Sequence, residues 1–231
     1  MYGADERTDD LCIVESRLAV ESLLDSPYEP VSLLIAERLA DDPLVAEFPG
    51  EVLVASQDVI NATVGFNMHR GVVACARRGT PRTIEDVAGG ARTLVVTECV
   101  NDPENLGALF RNAAAFGVDG IILDPSTCDA LSRRVIRVSM GHALRVPFAR
   151  GPIPQLDDFT TIALTPDADQ DIADVRADRV ALLVGNEGDG LTPAAVAGAD
   201  VRASIPMAKG VDSLNVATAA AVALALLRRR S

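Results

Sequence analysis

At 231 residues, with 48% hydrophobic side chains, the chain has material for one large core or two small ones. A formal net charge of -12 excludes a protein that holds nucleic acid by bulk electrostatics, because such binding rests on clustered Lys and Arg. No apolar run approaches the roughly 20 residues of a membrane span, and residues 1–10 are polar and acidic, unlike a signal peptide, so the cytoplasm is the expected address. Cys12, Cys75, Cys99 and Cys128 are scattered without paired metal spacing, which predicts reduced, mostly core thiols and no metal site.

In chain order, the β-branched or leucine-rich runs 11–14, 31–36, 51–55 and 71–76 predict strands, with helical spacing at 16–24 and 57–64. This is a small alternating α/β unit. Gly, Pro and charge combine over 77–82 and 88–91, so the expected organisation is a first domain at 1–80, a linker at 81–92 and a second domain at 93–231. In the second domain, strands at 93–97, 120–123, 162–165, 180–184 and 201–205 alternate with helices at 105–116, 132–142 and 193–197. That rhythm points to a parallel sheet, in which ligands bind at the carboxyl ends of strands. A closing helix, capped by Asp212 or Ser213, is almost purely apolar over 216–227. It is too short to span a bilayer, so it predicts burial against the sheet and a partner subunit.

Charge is segregated. No acid lies between Asp58 and Glu85, where His69, Arg70, Arg77, Arg78 and Arg82 fall. None lies in 130–156, which holds Arg133, Arg134, Arg137, His142, Arg145 and Arg150. Local potential steers a phosphate backbone, so these stretches are candidate RNA contacts, with Arg70, Arg77, Arg78, Arg133, Arg134, Arg137 and Arg145 named first. Lys209 is the sole lysine, so the bidentate arginine fork would make such contacts.

Three blocks follow predicted strands. The first, 101–117, puts Asn105 and Arg111 on a helix that enters through Asp102-Pro103 and leaves at Gly117. Taken alone, it reads more readily as ordinary capping with a solvated arginine. The second, Gly185-Asn186-Glu187-Gly188-Asp189-Gly190-Leu191, differs from a dinucleotide fingerprint in spacing and lacks the acidic residue needed about 20 positions on. A nucleotide-dependent oxidoreductase is therefore disfavoured. The third runs from Ile205-Pro206-Met207 to Ser213-Leu214-Asn215-Val216. No phosphate-loop lysine or Ser/His/Asp set accompanies them, and His69 and His142 read as structural or RNA-contacting.

In these blocks the chain resembles the SpoU, or TrmH-type, branch of the SPOUT superfamily of RNA ribose methyltransferases. The first block, with Asp102, Pro103, Asn105, Gly107, Arg111, Phe116 and Gly117, is similar to the family's first motif; the others match its second and third in order. More loosely, Ile13-Val14-Glu15 and the stretch 64–74 resemble the family's ribosomal-protein-like recognition domain. Arg70 stands where many relatives carry Gln, which bears on the RNA chosen, and Gly210 falls one place later than usual.

The resemblance implies a trefoil-knotted, homodimeric α/β domain that uses S-adenosylmethionine. It carries over Gly185, Asn186, Glu187, Gly190, Ile205, Met207, Ser213 and Leu214 as cofactor contacts, and Asn105, Arg111, Glu187, Ser213 and Asn215 as catalytic residues. The expected reaction is 2′-O-methylation of RNA, ribosomal before transfer RNA, with a non-catalytic RNA-binding paralogue as the alternative of another class. Arginine is effectively always protonated, so Arg111 suits a phosphate and oxyanion clamp better than a base.

Overall fold

The computed structural model describes residues 10–65, 67–186 and 188–228. The chain divides into two compact units, Met1–Thr80 with Ala130–Arg145, and Pro81–Asp129 with Val146–Ser231.

In the first unit, the β-rich runs become β1 (Leu11–Glu15), β2 (Glu29–Ala36), β3 (Glu51–Ala55) and β4 (Val72–Arg77). They form one sheet in the order β1-β4-β2-β3, parallel between β2 and β3 and antiparallel elsewhere. The strand expected at 71 starts at Val72 because Gly71 takes a left-handed φ of 64°, with Ala36 Cβ only 2.8 Å from where a side chain would begin. Helix α1 (Arg17–Leu24) buries Ala19, Val20 and Leu23 along one stripe. The unforeseen α2 (Pro43–Glu47) follows from local chemistry, with Asp42 capping Leu44 N–H and Pro43 in the first turn. Helix α3 (Gln57–Val64) begins at the cap Ser56 and stops at left-handed Gly65.

The expected linker is not a structureless tether. Within it lies α4 (Ile84–Ala88), begun by a reciprocal capping box between Thr83 and Asp86, with Val87 buried in the core of the second unit. The strand β5 (Thr93–Glu98) then leads to α5 (Pro103–Phe116) and β6 (Gly120–Leu123).

Next the chain departs from a contiguous second domain, since 130–145 groups with the first unit. The helix expected over 132–142 is only α6 (Arg133–Val138), and it runs along β1. It ends because Met140 and Gly141 are left-handed, and a Cβ on Gly141 would stand 2.6 Å from Ser22 Cβ on α1. Arg133 and Arg137 of α6 converge on Glu15, which is 5% exposed. A carboxylate so buried needs paired charge.

Returning to the second unit, β7 (Phe148–Arg150), β8 (Thr160–Leu164), β9 (Gln170–Asp171), β10 (Val180–Gly185), α7 (Pro193–Gly198), β11 (Val201–Ser204) and α8 (Val216–Arg228) complete the fold. The seven-stranded sheet is parallel throughout, ordered β7-β6-β5-β10-β8-β11-β9. The very short β7 and β9 carry no period a sequence can show. The wholly buried runs of β6 and β10 are what a central parallel strand requires. Helix α8 buries Val216, Ala217, Ala220, Ala223 and Leu224, a single stripe that meets α5, while Val222 and Leu226 stay half-buried.

Candidate functional site

A cavity of about 550 Å³ opens at the carboxyl ends of β8, β10 and β11. Its most constrained wall is the loop after β10. Gly185 has no room for a side chain, because a Cβ there would lie 2.1 Å from the carbonyl carbon of Gly190. The loop folds back through the Asn186–Gly190 bridge, and Asn186 Oδ1 accepts the N–H groups of Gly188 and Asp189 at 2.7 and 2.8 Å. The Asn186 amide oxygen thus shapes the loop. Gly190, at φ 70°, supplies a left-handed turn.

Gly185, Asn186, Gly190, Ile205, Met207, Ser213 and Leu214 all line this cavity. Glu187 lies outside the described residues. Sequence reasoning missed Leu164, Thr165, Asp167 and Arg202, which line it too. The signal available was a strand end at 164–165, but nothing in chain order told that β8 lies between β10 and β11. Leu164, Val184, Ile205, Leu214 and Val216 supply apolar surface, while the exposed Asp167, Asp189, Arg202 and Asp212 supply charge. A ligand with an apolar part and a charged part fits such a lining.

The second feature is the seam of α5 and α8. Asp102 caps Glu104 N–H at 2.9 Å, Pro103 opens α5, and left-handed Gly117 closes it. Asn105 Oδ1 accepts Asn215 Nδ2–H at 2.7 Å. Asn215 Oδ1 in turn accepts Ala217 and Thr218 N–H, at 3.0 and 3.2 Å, and so caps α8. About two turns after Asn105, on the same face, Asn112 donates to Ala217 O at 2.8 Å. Arg111 is turned about 100° from Asn112; it is exposed and does not line the cavity. The catalytic candidates Asn105 and Asn215 therefore meet, Ser213 stands in the cavity wall, and Arg111 stands apart from it.

The approach to α5 is held from β6. Asp124, 6% exposed, accepts Cys99 N–H at 2.9 Å, Ser126 N–H at 3.0 Å, and the N–H and hydroxyl of Thr127 at 3.0 and 2.5 Å. Burial pulls its acidity the other way, yet these hydrogen bonds hold the carboxyl below the usual range. Cys99 is left-handed at φ 58°, and Val100 N–H donates to Thr127 Oγ1 at 3.2 Å. Arg150 donates to the carbonyls of Asp124, Pro125, Thr127 and Cys128, binding the loop as a clamp. Burial pushes the Cys128 thiol up to about 11, so it stays neutral.

Among the RNA-contact candidates, Arg70 and Arg134 are exposed. Arg77 faces Glu29 at 3.5 Å and Arg145 faces Asp25 at 3.8 Å, both surface pairs. Arg78 donates through Nε to Leu11 O at 2.9 Å. Arg133 and Arg137 are committed to Glu15, an engagement their sequence spacing does not reveal.

Comparison with known proteins places the chain in a family. The SpoU rRNA Methylase family model matches residues 92–225. An uncharacterized tRNA/rRNA methyltransferase of Mycobacterium bovis is 45% identical over 229 residues, covering 92% of this chain and 79% of that protein. The 23S rRNA (guanosine(2553)-2′-O)-methyltransferase RlmP of Bacillus subtilis is 27% identical over 240 residues, covering 99% and 93%. Among solved structures, an AdoMet-bound rRNA methyltransferase from Sinorhizobium meliloti superposes with a TM-score of 0.83 at 27% identity, covering 95% of this chain and 87% of that one. The matching motifs, the parallel sheet and the extent of these likenesses agree, and the chain belongs to the SpoU rRNA Methylase family.

Proposed function

We propose that this chain methylates a ribose 2′-hydroxyl of RNA, ribosomal RNA foremost, with S-adenosylmethionine as donor. The observation that carries the reading is the cavity whose wall is the side-chain-free turn at Gly185 and whose lining divides into apolar and charged surface. Gly185, Asn186, Gly190, Ile205, Met207, Ser213 and Leu214 would hold the cofactor, which supplies an activated methyl group when bound. A ribose hydroxyl is a poor nucleophile at neutral pH, so the protein's task is to align it and to stabilise the charge that develops on its oxygen.

Arg111 is the group for that charge. A guanidinium suits a clamp on phosphate and oxyanion better than a base, with the proton passing to water or another acceptor. Asn105, fixed by Asn215, orients the ribose or Arg111. Because Arg111 stands outside the cavity lining, a second copy of the chain is the simplest source of the guanidinium at each cavity, and the half-buried Val222 and Leu226 of α8 offer an apolar surface for that dimer. The knotted course of the chain belongs to the same proposal, supported by family membership. The first unit, with Arg70 exposed on it, selects the RNA site, and the cytoplasm is where that substrate is met.

The test is transfer of labelled methyl from S-adenosylmethionine to unmodified ribosomal and transfer RNA, each digested to nucleosides. Label in a 2′-O-methyl nucleoside of ribosomal RNA is the expected outcome. Label confined to transfer RNA moves the substrate, and no label with no cofactor binding favours a non-catalytic RNA-binding protein.

A further inference from the structure

The cofactor cavity contains a polar group that the family motifs do not use. Thr165 is the first residue after β8, and β8 lies between β10 and β11 in the sheet. Thr165 is therefore flanked by the end of β10, where the Gly185 loop begins, and the end of β11, where the segment to Ile205 begins. Its backbone is fixed there, since Thr165 N–H donates to Ala203 O at 3.0 Å. The residue lines the cavity, yet among the described residues its Oγ1 is buried with no hydrogen-bond partner.

A buried hydroxyl without a partner costs free energy that a methyl group in its place would not. A threonine has a way to relieve this. Rotation of about 120° around χ1 carries the hydroxyl to a neighbouring staggered position, a move that can turn the oxygen from the protein interior toward the cavity. The charged groups of the lining, Asp167, Asp189, Arg202 and Asp212, are exposed, whereas Leu164 beside Thr165 and Val184 at the end of β10 are apolar. The group received between those strand ends is thus the apolar ring system of the ligand with its few edge acceptors and donors, and the exposed charges suit its zwitterionic end.

We propose that Thr165 is a specificity-determining residue, whose hydroxyl turns into the cavity to hydrogen-bond the nucleoside half of S-adenosylmethionine. The inference rests on the cofactor reading above. It makes the unliganded protein carry a local penalty that the cofactor removes, so affinity and stability respond to the hydroxyl with opposite sign.

The experiment is calorimetric titration of wild type, Thr165→Val and Thr165→Ser with S-adenosylmethionine and, separately, with 5′-methylthioadenosine, which lacks the amino-acid end. Thermal unfolding of each unliganded protein accompanies it. The isosteric Thr165→Val is expected to bind both ligands about five- to tenfold more weakly while its unliganded Tm rises. Thr165→Ser is expected to stay within about twofold of wild type. A merely structural role would not weaken binding while raising Tm. Equal binding by wild type and Thr165→Val overturns the inference alone. Loss for S-adenosylmethionine but not for 5′-methylthioadenosine overturns the assignment to the nucleoside half. A wild type that binds neither ligand overturns the cofactor reading, and this inference with it.

Discussion

The loop after β10 and the seam of α5 with α8 are built by opposite means. The loop is built by leaving side chains out: Gly185 lies against Gly190 where no Cβ fits, and the one amide oxygen in play, that of Asn186, serves the loop itself. The seam is built by putting side chains in, with Asn105, Asn112 and Asn215 joining two helices through amide groups. The difference teaches that the loop should fail by steric exclusion, losing binding, and the seam by loss of orientation, losing rate.

Four substitutions test that division. Arg111→Ala should have the largest effect, a fall in turnover of about 10²–10³-fold, the scale of losing one preorganised charge stabiliser. S-adenosylmethionine affinity should stay within about twofold, because Arg111 does not line the cavity. Near wild-type turnover would remove this residue from the mechanism. Gly185→Ala should cost about 2–4 kcal/mol of stability, as overpacking against backbone does, and abolish detectable cofactor binding. Retained binding by calorimetry would show that the loop yields, and the contrast would collapse.

Asn215→Ala should cost about 1 kcal/mol, the usual worth of a helix cap, and should lower kcat more than it raises the KM for cofactor. A pure KM effect would move Asn215 to the binding side of the comparison. The smallest effect concerns Asp124, which steadies the chain entering α5. Its acidity is stronger folded than unfolded, so its stabilising contribution is complete above the ordinary carboxylate value and is lost as pH falls through the lower folded value. Chemical denaturation should accordingly find Asp124→Asn less stable than wild type at pH 7, with the gap narrowing below about pH 4. A gap independent of pH would mean that Asp124 acts by shape and not by charge.

Much of the site was legible because its chemistry is local. Asp102-Pro103 and Gly117 bound α5 by capping rules that act within a few residues, and the spacing Gly185, Gly188, Gly190 signals a loop whose backbone must come close to itself. The arginine-rich stretch was less legible. Its acid-free composition suggested one cationic face, but Glu15, distant in sequence, takes Arg133 and Arg137 for a structural pair. A different tertiary contact, the close approach of Gly141 to α1, accompanies the early end of the helix expected over 132–142.

The sequence by itself determined the strands other than the very short β7 and β9, the ends of α5, the family motifs and the reaction class they imply. Hydrophobic period and turn chemistry are properties of neighbouring residues, and survive without knowledge of the fold. Tertiary structure alone decided that β8 stands between β10 and β11 and thereby brings Thr165 into the cavity. It decided that Asn105 meets Asn215, and that 130–145 belongs with the first unit. Strand order and long-range pairing depend on which buried surfaces find each other, and no spacing along the chain encodes that choice.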